Sequence, residues 1–302
     1  MPDWSEVFRA IQERSAKSNA AADEVRREYL ASLAAHTKRN VIAYYSAFLS
    51  KPNLQLLDIN DEDVNGFMMA VHKLDRSRGL DLVLHTPGGS IASTESIVHY
   101  LQIMFDRNIR VIVPQIAMSA GTMIACPARQ IVLGKQSSLG PIDPQLRGIP
   151  AQGVINEFKR SLIDLKEDAS YIHVWQPILQ QYRPTFLGQC QQAIDWTRDF
   201  VTRQLTEVMF YGDGDAAAKA SSIVAFLSDD GLHKAHERHI PLDECVKIGL
   251  RVLPLESDQQ LQDLVLTVHH CYMFAMMNSP ALKIIENHTG ESFIKAQSTG
   301  RQ

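Results

Sequence analysis

Three short apolar runs, DLVLHT (Asp81–Thr86), IRVIVP (Ile109–Pro114) and QIVLG (Gln130–Gly134), are separated by segments that read as helices. Strands alternating with helices at this spacing predict βαβ units. Parallel neighbours need a crossover of a dozen or more residues, and the crossover is right-handed. The fold class is therefore α/β. A chain of 302 residues suffices for one large domain of this kind. Hydrophobic residues at 45% and charged residues at 21% exclude a disordered chain. A formal net charge of -4 excludes the global basic field on which most nucleic-acid binders rely.

The flanking regions extend this pattern. Residues 3–37 carry no Pro or Gly and read as one long helix, with Trp4, Phe8, Ile11, Ala22, Val25, Tyr29 and Leu33 on one face. The stripe weakens at Ser15 and Ser18. The arm serves either to pack on its own domain or to join subunits. RNVIAYYSAFL reads as β, and Asp61 is placed to cap a helix over residues 62–75 that Gly79 ends. Further helices are expected over 91–106, through most of 151–228, and over 258–277, with a short strand at Leu250–Leu253. The expected division is an arm over 1–37 and one domain over 38–302.

The N-terminus is charged and has no apolar signal-peptide core. The two most apolar windows, Ile109–Ala128 and Leu264–Leu282, are interrupted by Arg110 and Pro114, and by His269, His270 and Pro280. Cys126, Cys190, Cys245 and Cys271 form no close pair, which suits a reducing compartment. A cytoplasmic protein without an integral membrane segment is expected.

Two turns carry the chemistry. In HTPGGS, Pro87, Gly88 and Gly89 follow a strand at the edge where α/β folds place ligands, and paired glycines let main-chain amides approach an anion. In AMSAG, Ser119 sits between a strand and a helix with the small-x-Ser-x-Gly outline of a nucleophile elbow. Alone, the first is also a plain tight turn and the second an N-cap. One strand apart on one sheet edge, they supply a hydroxyl and oxyanion donors, the equipment of acyl transfer.

LDLVLHTPGGSIASTESI, VIVPQIAMSAGTMIA and SSLGPIDPQ, with HERHI and ECVKIGLRV downstream, resemble the serine dehydrogenase proteinase family, of the superfamily of Clp-type proteases, signal peptide peptidase A and crotonases. The resemblance implies a crotonase-like, Clp-protease-like ββα spiral, here with an N-terminal helical arm and a helical C-terminal region. It also implies a homo-oligomer and serine peptidase activity on polypeptide. Ser119 is carried over as nucleophile, and Gly88 or Gly89 with the Ala120 amide as the oxyanion hole.

The general base departs from the Clp-type pattern. Where that pattern has a His, SLGPIDPQ offers Asp143. His236 is one candidate, with Asp143 or Glu237 to orient its ring. Lys159 is the other, by analogy with the Ser–Lys dyads of signal peptide peptidases; it requires burial to lower its pKa. His233, His236 and His239, near Asp229, Asp230 and Glu237, form a conceivable zinc set, although helical spacing would spread the rings apart. No metal or cofactor is required by the chemistry. His85 is read as structural, satisfied by a local hydrogen bond. The sequence has no P-loop, so ATP-driven unfolding would come from a separate ATPase partner. An acyl-CoA enzyme of crotonase type and a catalytically silent scaffold are the competing readings.

Overall fold

The computed structural model describes residues 4–18, 20–233 and 235–297. Asn40–Ser46 forms a strand buried along its whole length. It pairs in parallel with Leu80–His85, which pairs with Ile109–Val113, and that in turn with Gln130–Leu133. Val252–Pro254 adds a fifth parallel strand at this side. Ala281–Asn287 joins the other side of Asn40–Ser46 antiparallel, and Ser292–Ala296 closes that edge. The expected βαβ units are present, with the helix Glu62–Val71 in the first crossover and Ile91–Phe105 in the second.

Alternation along the strands sends successive side chains to opposite faces. Ile42, Tyr44, Leu82 and Val111 meet Phe67 and Val71 of one crossover helix and Ile97 and Leu101 of the other. Val41, Ala43, Val83 and Ile112 meet Leu30 and Leu33 of the helix Ala21–Thr37 and Val265, Val268 and Tyr272 of the helix Gln259–Asn278. The result is three layers with a mostly parallel sheet in the middle, which is why its strands read as continuous apolar runs. Among the described residues no helix is long and apolar enough to cross a membrane.

Two smaller clusters lie outside these layers. Val7 and Ile11 pack with Val25 and Cys271, which seats the first helix, Trp4–Ser15, on the outer layer. Val154, Ile155, Cys190 and Ile194 join the helices Ala151–Glu167 and Phe186–Gln204. The apolar helix Ile172–Leu179 between them has no buried residue. All four cysteines are buried and unpaired.

The structure corrects several expectations. The N-terminal arm is two helices, Trp4–Ser15 and Ala21–Thr37. The break falls where the apolar stripe thins: Ser15 Oγ donates back to the Ile11 carbonyl, and Ser18 Oγ accepts from the Ala20 amide and donates to Glu24. Such local bonds compete with helix propagation. The helix expected to reach residue 75 stops at Val71, where the Asn287 side chain takes the Ala70 carbonyl. Asn60 rather than Asp61 caps that helix, through Oδ1 to the Glu62 amide. The strand expected at Leu250–Leu253 runs over Val252–Pro254. The C-terminal region is not all helical, because Ala281–Asn287 and Ser292–Ala296 form a hairpin. Being fully buried, the first of these strands shows no polar alternation.

Tyr44 stacks on Phe67 with ring centroids 5.9 Å apart, both rings fully buried between sheet and helix. Phe67→Ala is expected to cost about 3–5 kcal/mol, as large-to-small core changes of aromatics do. A urea unfolding series checks this.

Candidate active site

Ser119 sits where the two-residue strand Ile116–Ala117 turns into the helix Ala120–Ala125. Its backbone has φ 51° and ψ -114°, a conformation that L side chains rarely adopt. Neighbouring bonds impose it. The Met118 amide donates to the Thr86 carbonyl at 3.1 Å, and the Thr86 amide to the Ile116 carbonyl at 3.2 Å. The Gly121 amide closes the bend on the Met118 carbonyl at 2.7 Å. A Cβ on Gly121 would stand 2.7 Å from Thr86 Cγ2, so only glycine lets the helix start this close to the strand. Ser119 is half-buried, and its hydroxyl makes no hydrogen bond among the described residues.

The glycine turn lies directly against this bend. Gly88 has φ 106°, and a Cβ there would stand 2.9 Å from Ser119 Cβ and 3.1 Å from the Ala120 nitrogen. Gly89 has φ 152°, and its added Cβ would fall 2.4 Å from the Ile59 main chain. Ile59 bridges Gly89 in parallel, donating to the Gly88 carbonyl at 2.8 Å and accepting from the Ser90 amide at 2.9 Å. In that pairing the amide of Gly89 faces away from Ile59. Neither it nor the Ala120 amide has a protein acceptor among the described residues, whereas the Gly88 amide donates to Thr86 Oγ1 at 3.2 Å. Two free amides thus flank a strained serine.

A three-stranded sheet gathers the other candidates. Ile116–Ala117 runs parallel to Ser138–Leu139, which pairs antiparallel with Ile240–Pro241, and the register aligns Ala117, Leu139 and Ile240. Ser119 and Asp143 follow the first two strands and His236 precedes the third. The strand directions therefore bring all three segments to the same end of this sheet. There His236 Nδ1 lies 2.9 Å from Asp143 Oδ1, with Asp143 nearly buried and His236 one-fifth exposed. The His236 Nε2 has no hydrogen bond among the described residues. The Thr122 hydroxyl ties the elbow helix to the Asp143 loop: it accepts from the Gly140 amide at 2.9 Å and lies 2.8 Å from the Gly140 carbonyl.

A family described as ClpP-like SDH-type serine proteinase matches residues 16–252. The chain belongs to that family. It is also 28% identical over 194 residues to an uncharacterized protein of Methanocaldococcus jannaschii, covering 64% of this chain and 60% of the relative. A second uncharacterized protein of that organism is 33% identical over 113 residues, 37% of this chain and 38% of the relative. The chain thus spans less than two thirds of the length of either relative.

The remaining candidates make no hydrogen bond or ion pair with Asp143 or His236 among the described residues. Lys159 stands on the exposed face of the helix Ala151–Glu167, with no partner among the described residues and none of the burial that a lysine base requires. Glu237 is exposed. His233 contacts the Phe226 carbonyl and Arg238, and His239 lies 2.6 Å from Ser138 Oγ, so the three histidines face three different sets of partners. No cluster suited to a metal occurs among the described residues, which leave out the Asp230 side chain. Ile59 and Thr122, which hold the two turns, carry no sequence signal of that role: one is an apolar residue between Asp58 and Asn60, the other a threonine in a short apolar helix.

His85 differs from expectation. It is fully buried among Tyr45, Phe48 and His269, and neither ring nitrogen makes a well-formed hydrogen bond. Burial pushes its pKa down to about 4, offset only in part by the Ile116 carbonyl. His269, bonded to Tyr45, is also held well below the ordinary histidine value, first by burial and then by its histidine neighbours.

Two predictions follow from these contacts. Gly89→Ala forces the added methyl against the Ile59 backbone, and a loss of roughly 1–3 kcal/mol is expected in thermal unfolding, as for other strained backbone positions. His85 is neutral when folded and has an ordinary pKa when unfolded, so its contribution is complete above about pH 6.5 and is lost as pH falls toward 4. The loss is on the order of 3 kcal/mol. Unfolding free energies at pH 7 and pH 4.5 are expected to differ less in His85→Phe than in the unsubstituted protein.

Proposed function

We propose that this chain is a serine endopeptidase that hydrolyses polypeptide through an acyl-enzyme on Ser119. One observation carries the reading: a serine held at positive φ beside two unpaired main-chain amides, at the same sheet end as a His–Asp pair. Belonging to the SDH-type proteinases supports the peptidase class, and the ββα spiral and homo-oligomer that the family resemblance implies form part of this reading.

Asp143 accepts the Nδ1 proton of His236 and so fixes the tautomer that leaves Nε2 as a base. That nitrogen closes onto the Ser119 hydroxyl when substrate binds and takes its proton as Oγ attacks the scissile carbonyl; such bonds are commonly loose in free enzymes. The negative oxygen is received by the Gly89 and Ala120 amides, the latter the first amide of the helix Ala120–Ala125 and without an acceptor among the described residues. His236 then protonates the leaving amine, and a water activated by the same imidazole releases the acid. Relative to the Clp-type order the acid and the base exchange places in the chain, and geometry rather than order defines such a site. The reaction needs no cofactor. The exposed Trp4, Phe8 and Met277 and the unburied helix Ile172–Leu179 are apolar surface suited to self-association or to polypeptide.

A fluorophosphonate probe is expected to label Ser119 and to lose labelling in Ser119→Ala. Asp143→Asn is expected to lower kcat on a casein-type substrate about 10⁴-fold, as loss of the orienting carboxylate does elsewhere, and Lys159→Met to leave it unchanged. An intact oligomer that takes no label would favour the silent scaffold. Hydrolysis retained in Ser119→Ala would overturn the mechanism.

A further inference from the structure

The Ile59 main chain, against which the glycine turn is built, is itself held by a buried ion pair between the helix Glu62–Val71 and the strand Ala281–Asn287. Lys283, on the strand Ala281–Asn287, lies 2.6 Å from Asp63 Oδ1, and both side chains are essentially inaccessible to solvent. Lys283 Nζ also donates to the Asp58 carbonyl at 3.0 Å. Asp63 Oδ2 accepts from the Asn60 amide at 3.0 Å and from the Tyr44 hydroxyl at 2.9 Å. The residues on either side of Ile59 are thus fixed, one by the lysine and one by the aspartate. Ile59 in turn bonds the Gly88 carbonyl and the Ser90 amide, bracketing Gly89.

A buried ion pair is a weak source of stability, because desolvating both charges offsets their attraction. Here each charge also bonds the backbone beside Ile59, Lys283 the Asp58 carbonyl and Asp63 the Asn60 amide. Oxyanion donors act by pre-organisation, and a small displacement removes much of their effect. We propose that Lys283 and Asp63 are positioning residues for the oxyanion hole, setting the Gly89 amide through the Ile59 backbone. The inference rests on the serine-peptidase reading for its catalytic consequence, but not for the clamp itself.

The test uses Asp63→Asn/Lys283→Met, which removes both charges together and strands neither. Its control is Arg26→Met/Glu286→Gln, which removes a second fully buried pair, Arg26 with Glu286, bonded at 2.7 Å beneath the helix Ala21–Thr37. In the first variant kcat and the fluorophosphonate labelling rate are expected to fall about 10- to 100-fold, a share of the roughly 100- to 1,000-fold that loss of a whole donor costs, with KM little changed. Hydrogen exchange at the Ser90 amide is expected to quicken. The control is expected to lose comparable thermal stability while labelling at the unsubstituted rate and keeping Ser90 protected. Equal labelling and equal Ser90 exchange in the two variants would overturn the proposal. Should the unsubstituted protein take no label, the peptidase reading falls, and Ser90 exchange decides the clamp alone: faster exchange in the first variant supports it, unchanged exchange overturns it.

Discussion

The site depends on the close approach of two backbones, the glycine turn after Leu80–His85 and the bend at Ser119. Such proximity leaves no room for a Cβ at Gly88 or Gly121, and the Ile59 main chain leaves none at Gly89. It also explains why a serine tolerates positive φ: the Thr86 main chain bonds both Ile116 and Met118, so relaxing the bend would break the small strand leading into it. The strain is offset by the sheet rather than by the serine's own contacts. Everything catalytic in the proposed mechanism inherits its precision from this pair of turns.

The polar interior is distributed accordingly. Where the two principal layers meet, apolar side chains suffice. Buried charge appears at a few places: Lys283 and Asp63 behind Ile59, and Arg26 with Glu286 and Tyr272 where the helix Ala21–Thr37 meets the C-terminal hairpin. Asp81 lies between Arg39 and Arg110 at the N-terminal end of the central strand, where Arg39 also holds the Asn108 carbonyl. Buried ions with this many hydrogen bonds specify one arrangement even where they add little stability.

The parallel core was legible in the sequence because strands buried on both faces write themselves as near-continuous apolar runs, broken in LDLVLH and IRVIV by Asp81 and Arg110 near their starts. The two glycine turns and the serine between strand and helix were legible for the same local reason. What escaped was set by distant partners. The C-terminal hairpin joins a strand some 240 positions earlier, as Tyr45 facing Ile284 illustrates, and the NHTGE turn was its only local cue. The arm reads as continuous because nothing but two serines interrupts it, yet their hydroxyls reach the backbone and divide it. His236 and Asp143 were visible as candidates, but their pairing depends on the short sheet that joins residues 117, 139 and 240.

The four thiols mark three separate packing units. Cys126 and Cys245 lie in the main core, Cys271 beneath the N-terminal helices and Cys190 between the two long helices of the 151–204 segment. Each is sealed from solvent in the folded chain. A maleimide can reach any of them only when its own unit opens, and local opening free energies differ widely within one protein. Mass-resolved alkylation of the native chain would therefore act as three clocks in one molecule, one for each unit's breathing.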